Sequence, residues 1–293
     1  MGSRWTAVAY AAPDVEPAAL QGVLQAVVDA VDDQMSTWKP NSDLNRLNAA
    51  PVGAWVTIPH QLATVLDAAL AIGAASGGAF DIGVGDLVFA WGFGGGRREA
   101  DPALIRSLAG RPSLEPTKTL QLDKVSGRAR KLAPLALDLS GIAKGFGVDE
   151  LGRVMTQAGL RSWLVGIDGE MRAAGLKPDG RPWAVAHERP APDRRDPAGV
   201  LHLEDAAVAT SGTYRHTADV DGRVVSHTMD PRTGAPLSGD LASVTVVAGT
   251  CMAADAWATA VMVAGADRGG ALARSVGLDV VMVRTDGRVE TTL

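Results

Sequence analysis

Leu135-Ala-Leu-Asp-Leu-Ser-Gly-Ile-Ala-Lys-Gly-Phe-Gly-Val-Asp149 changes character partway along. Leu135–Leu139 reads as a strand, and Ile142–Gln157 continues at helical spacing until Gly159 stops it. Before this joint the periodic segments are mainly helical: a strand over residues 4–10, then helices over Pro17–Val31 (ending near Met35), from Asp43, over Ile58–Ala75 and over Pro102–Leu108. A hairpin at Leu120–Leu132, turning at Lys124–Gly127, precedes the joint. Beyond it strands dominate, at Trp163–Ile167, Met171–Leu176, Trp183–His187, Val200–Leu203, Ala207–Thr210 and Val224–Thr228. A last strand, helix, strand and hairpin cover 243–293. Helices and strands mix without regular βαβ alternation, so the pattern predicts an α+β fold rather than a doubly wound sheet. Glu188–Ala198, rich in Pro, Arg and Asp, is expected to be a mobile surface loop.

The bulk numbers narrow the function. At 293 residues, with 46% hydrophobic and 21% charged residues, the chain can bury a good core. A net charge of −5 without a basic run argues against nucleic acid as the main partner. A phosphate-bearing ligand would have to be met locally, by a metal, a helix start or a few cations. Cys251 is the only cysteine, which rules out an intrachain disulfide. As given, the chain carries no signal peptide or lipobox, so a cytoplasmic location is expected. Val244–Ala266 is long and nearly uncharged, but its strand-like start and Ala-rich continuation favour a strand and a buried helix over a membrane span.

Three places carry candidate chemistry. The Asp138–Lys144 turn feeds a helix start, where free N–H groups and a partial positive charge suit a phosphate. Lys144 in that first turn is disfavoured by the same dipole unless an anion binds there. The alternative is a plain joint with Asp138 as cap and Lys144 in solvent. Asp255 and Thr259, four apart on one face of the last helix, offer hard oxygen ligands suited to Mg²⁺. The alternative is an Asp paired with an Arg. His227, at a strand end running into an Asp-Pro turn, is either a base near neutral pH or a structural histidine. The glycines at 77–85 and 91–96 match neither the dinucleotide-binding nor the Walker pattern. Phe80 and Trp38 either face a flat ring or belong to the core.

Six blocks occur in order: Met35-Ser-Thr-Trp, Gly78-Ala-Phe-Asp-Ile, Asp138-Leu-Ser-Gly-Ile-Ala-Lys-Gly, Ala209-Thr-Ser-Gly-Thr-Tyr-Arg, Ser226-His-Thr-Met-Asp-Pro-Arg-Thr-Gly and Ala254-Asp-Ala-Trp-Ala-Thr-Ala. From Arg4 to about Val283 the chain resembles the FAD:protein FMN transferases, the ApbE-like family. The resemblance implies one compact domain over 1–293, with mixed, mostly antiparallel sheets flanked by helices. It also implies Mg²⁺ as cofactor, FAD as substrate and an acceptor protein whose Ser or Thr hydroxyl receives FMN as AMP leaves. Carried onto matching positions, Gly141 (by its carbonyl), Asp255 and Thr259 would hold the metal. Met35, Ala79, Phe80, Asp81, Asp138 and Lys144 would line the FAD site, with His227 as a base or phosphate contact. Water in place of the acceptor would make the same site an FAD diphosphate hydrolase, and loss of turnover would leave an FAD-binding protein. Three departures stand out: Ala258 where some members have a second acidic ligand, Asp168-Gly-Glu for the usual Gly-Gly-acid, and His216-Thr217 where Asn and an aromatic are common. The chain has no Ser-Gly-Ala-Thr-like target motif, so self-modification is not expected.

Overall fold

A computed structural model describes residues 3–10, 15–96, 99–111, 113–191, 196–214, 217–220 and 222–292. Strand β1 (Trp5–Tyr10) is followed by helices α1 (Pro17–Met35) and α2 (Asp43–Ala49). After β2 (Val56–Thr57) come α3 (His60–Ala75), α4 (Gly85–Ala90), α5 (Pro102–Leu108) and α6 (Pro116–Thr119). The hairpin β3 (Leu120–Asp123) and β4 (Arg128–Lys131) leads to α7 (Ala143–Gln157). Next are β5 (Ser162–Ile167), β6 (Glu170–Ala174), β7 (Trp183–Arg189), β8 (Asp196–Leu203) and β9 (Ala207–Gly212). Short strands β10 (Thr217–Val220), β11 (Arg223–Ser226), β12 (Met229–Asp230) and β13 (Ala235–Pro236) precede β14 (Leu241–Ala248). The chain closes with α8 (Cys251–Ala264), α9 (Ala266–Ser275), β15 (Asp279–Arg284) and β16 (Val289–Thr291).

The central sheet has the order β1-β5-β6-β9-β14-β15-β16, and neighbouring strands in it are antiparallel. The α+β expectation therefore holds. Helices α7 and α8 pack on this sheet and on each other, and α1 packs on α7. α8 is apolar nearly all round, as a helix enclosed on both sides must be. Its Ala254, Ala258 and Val261 meet Ala209, Val244 and Val246 of the sheet, while Ala256 and Ala260 meet the N-terminal core around Leu62, Phe80 and Phe146. Asp255 thus lies on a helix sandwiched between two apolar clusters. Among the described residues no helix is long and apolar enough to cross a membrane.

Three expectations need correction. Leu135–Leu139 is not a strand: its backbone bonds go to other partners. The Asn48 amide bonds both the N–H and the C=O of Leu137, and the 82–85 turn takes the N–H of Asp138 and the C=O of Ala136. The final helical region is two helices, because Gly265 at φ 80° breaks the run and α9 follows. The loop at 188–198 is shorter than its composition implied. Glu188 and Arg189 extend β7 and pair with Pro197 and Asp196 of β8, while 192–195 lie outside the described residues.

Candidate functional site

The two predicted segments do meet. Helices α7 and α8 run side by side, and each supplies an aspartate to the start of the other. Gly145 N–H, one of the unpaired donors in the first turn of α7, donates to Asp255 Oδ2 at 2.9 Å. In return Asp149 accepts from Cys251 N and Met252 N at the start of α8, both at 2.9 Å, and is held by Arg172 Nη1 at 2.8 Å. Gly145 makes this approach possible, since a methyl group there would lie 2.3 Å from Cys251 O and 2.8 Å from Asp255 Cβ. The start of α7 is therefore less open than the sequence implied: Gly145 N–H is taken by Asp255, and Ala143 N–H by Leu139 O.

Lys144 points into a buried acidic group rather than into solvent. Its Nζ donates to Glu170 Oε1 at 2.7 Å, and Glu170 is nearly inaccessible. The other oxygen, Glu170 Oε2, is buried without a hydrogen-bond partner. Burial alone would push the Lys144 ammonium down; the carboxylates of Glu170 and Asp255 more than offset it and hold the pKa above the ordinary lysine value. Asp255 goes the other way. Burial, then the charge of Glu170, lift it to about 7, against the opposing pull of Lys144 and the Gly145 N–H. Among the described residues the surroundings of Asp255 are a lysine, a second acid and a backbone N–H, not the arginine of the alternative reading.

Thr259 and Gly141 close the other side. A methyl group on Gly141 would stand 3.0 Å from Thr259 Oγ1 and 3.3 Å from Phe80 Cε2. Thr259 Oγ1 is also 3.1 Å from Ser211 Oγ on β9. Phe80, Met35 and Ala79 are buried, and the first two share a core cluster with Ala143 and Phe146. Trp38 stands half exposed. Asp138 is buried, accepts from Ser140 N at 2.8 Å and is pushed up by burial. Asp81 accepts from Gly83 N at 2.6 Å and from the Ser113 hydroxyl, and burial raises its pKa as well. In this structure both acids serve as turn caps.

His227 is half-buried and lies edge-on to Phe93, ring centroids 6.3 Å apart. Phe93 belongs to the glycine-rich turn whose Gly95 abuts Thr37 and Trp38; a methyl group on Gly95 would come 1.9 Å from Thr37 O. The motif around His227 is tied to α8 by Arg232, which clamps Asp230 through Nε (3.0 Å) and Nη2 (2.9 Å) and donates to Val263 O at 3.2 Å.

The departures resolve differently. Ala258 is fully buried against the sheet. Asp168 takes φ 52°, a left-handed value more usual for Gly, and exchanges hydrogen bonds with the Arg4 backbone. His216 lies outside the described residues; Thr217 begins β10. Sequence reasoning missed Glu170 and Ser211 as site residues, though Ser211 lies in the Ala209–Arg215 block and Glu170 in the Asp168-Gly-Glu departure, since nothing local shows that strand ends meet the α7–α8 seam.

Mg²⁺ fits this donor set. Among the described residues no three His, Cys, Asp or Glu side chains converge on a metal position. A cation here would draw on one carboxylate, a hydroxyl and a carbonyl, all hard oxygens, leaving room for water and ligand phosphates. Burial and the neighbouring Glu170 charge raise the Asp255 pKa, and a bound cation would oppose both. It also sets a sign. Between about pH 4 and pH 7 the metal-free folded chain keeps a proton on Asp255 that the unfolded chain releases, so stability falls as pH rises through that window. In chelator, the melting midpoint of the wild type relative to Asp255→Asn should drop by a few degrees from pH 5 to pH 7.5. An unchanged difference would show Asp255 ionised throughout.

The ApbE family profile matches residues 1–282. The chain is 34% identical over 291 residues to a Klebsiella pneumoniae protein named FAD:protein FMN transferase, covering 98% of this chain and 83% of that one. A Vibrio cholerae protein of the same name is 37% identical over 271 residues, covering 91% and 80%. Among solved structures, the apo form of the Pseudomonas stutzeri flavinyl transferase ApbE superposes with TM-score 0.87 at 35% identity, covering 100% of this chain and 92% of that one.

Proposed function

This chain belongs to the ApbE family of flavin transferases, and on that premise we propose that it moves FMN from FAD to a Ser or Thr hydroxyl of an acceptor protein, releasing AMP. The observation that supports the mechanistic reading is the α7–α8 seam, where Asp255 caps the start of α7 beside the Lys144–Glu170 pair and Gly141 lies against Thr259.

Gly141 (by its carbonyl), Asp255 and Thr259 would hold Mg²⁺, which when bound supplies charge neutralisation for a diphosphate. Lys144, paired with Glu170, would bind a phosphate oxygen. Burial strengthens that attraction relative to water. Met35, Ala79 and Phe80 would wall the flavin-nucleotide site, with Asp81 and Asp138 fixing the turns around it. His227 would take the proton from the acceptor hydroxyl as its oxygen bonds to the FMN phosphorus. The bond from that phosphorus to the bridging oxygen breaks, and AMP leaves with the bridging oxygen. Catalysis is thus mainly positioning and charge stabilisation.

Incubating the protein with FAD and Mg²⁺, with and without an acceptor protein, tests this directly. AMP release together with an acceptor heavier by one FMN is the expected result. AMP with free FMN alone would make it a hydrolase, and retained FAD with neither product would make it a binding protein.

A further inference from the structure

We infer that Ser211 is a positioning residue that aims the Thr259 hydroxyl at the cation, an inference that rests on the metal reading above. A threonine inside a helix normally turns its hydroxyl back onto the carbonyl four residues earlier. This protein shows the habit elsewhere: Thr64 Oγ1 donates to His60 O at 3.0 Å, Thr156 Oγ1 to Gly152 O at 3.0 Å and Thr119 Oγ1 to Glu115 O at 3.1 Å. Thr259 instead shares a 3.1 Å hydrogen bond with Ser211 Oγ, across from helix to sheet.

An alcohol that binds a cation does so through a lone pair and keeps its proton, which the cation makes more acidic. That proton needs an acceptor pointing away from the metal. Either hydroxyl of the pair can donate, so Ser211 Oγ can serve as that acceptor, held on β9 opposite Val244 in the sheet that α8 covers. Gly141 lies against the same hydroxyl, close enough that a methyl group on it would stand 3.0 Å away. The proton is drawn to Ser211, and the lone pair is left for a cation shared with Gly141. The neighbouring hydroxyl pair on the same strand, Thr210 Oγ1 and Thr245 Oγ1 at 2.8 Å, joins β9 to β14 and supplies a control.

The test is Mn²⁺ titration of the metal-free protein with ADP present to supply phosphate oxygens, free Mn²⁺ being read by electron paramagnetic resonance. Ser211→Ala should weaken Mn²⁺ binding about 10- to 100-fold, the usual consequence of removing an outer partner of a metal ligand. Ser211→Thr should restore most of that affinity, and Thr210→Ala should leave it unchanged. Adding Ser211→Ala to Thr259→Val should bring no further loss. Without metal, the Ser211→Ala melting midpoint should stay within about 2 °C of wild type. If Ser211→Ala binds Mn²⁺ like the wild type while Thr259→Val does not, the inference is overturned and the metal site stands. If Thr259→Val and Asp255→Asn also bind normally, the metal site itself is misplaced and the inference falls with it.

Discussion

Asp255→Asn is expected to cut Mg²⁺-dependent flavinylation by about 10³-fold, the kinetic equivalent of about 4 kcal/mol, while the chain stays folded. The substitution separates two roles that one side chain combines. As a cap, Asp255 accepts the Gly145 N–H at 2.9 Å, and an asparagine oxygen can accept the same bond. As a ligand, it brings the negative charge that a divalent cation needs in a site with no other carboxylate assigned to it. Asparagine also removes the charge that burial, and then Glu170, disfavour at this position, lifting Asp255 to about 7, so the metal-free variant should melt no lower than wild type at pH 7.5. Initial rates across a Mg²⁺ series, with the midpoint measured in chelator, decide between the roles. Full Mg²⁺-dependent activity in the variant would remove Asp255 from the metal site. A large drop in the metal-free midpoint would show that its main work is holding the two helices together.

Much of the fold was legible because its signals are local. Pro102–Leu108 matches its helix residue for residue, with Asp101 accepting from Ala103 N and Leu104 N as a cap and Pro at the start. The 120–132 hairpin turns where Asp123 accepts from Ser126 N. The errors have one physical source, since a side chain or a distant backbone can satisfy groups that a sequence reader assigns to a ladder. Leu135–Leu139 looks like a strand because its alternate leucines are buried, yet the Asn48 amide, far away in sequence, takes the place of a strand neighbour. The site divides the same way. Asp255 and Thr259 declare a shared face by spacing alone, and Lys144 is conspicuous at a helix start. Glu170 and Ser211 sit in ordinary strand contexts and gain their roles only from antiparallel packing of β6 and β9 under α7 and α8.

Gly145→Ala should have the other large effect, and its sign runs against intrinsic preference. In an isolated helix the change favours the helical state by about 1 kcal/mol. At Gly22, on the exposed face of α1 with nothing within 4 Å of a added methyl group, that gain should appear as unchanged or slightly raised stability. At Gly145 the same methyl group would meet backbone: Cys251 O at 2.3 Å, Cys251 C at 2.7 Å, and Asp255 Cβ at 2.8 Å. No rotamer change relieves a clash with a carbonyl carbon, so α7 and α8 must move apart. Both reciprocal caps then lengthen, and Lys144, next in the chain, shifts relative to Glu170. The expected loss is about 2–4 kcal/mol of stability, in the range for overpacking combined with a broken buried cap. Flavin transfer by the protein that remains folded should fall at least about 100-fold, because a displacement near 1 Å at a positioned site has that kinetic weight. Melting midpoints and initial rates of the two alanine variants, measured side by side at a temperature where both are folded, check this. A Gly145→Ala protein as stable and active as Gly22→Ala would mean that the helices do not approach this closely, and that the site is not built on their contact.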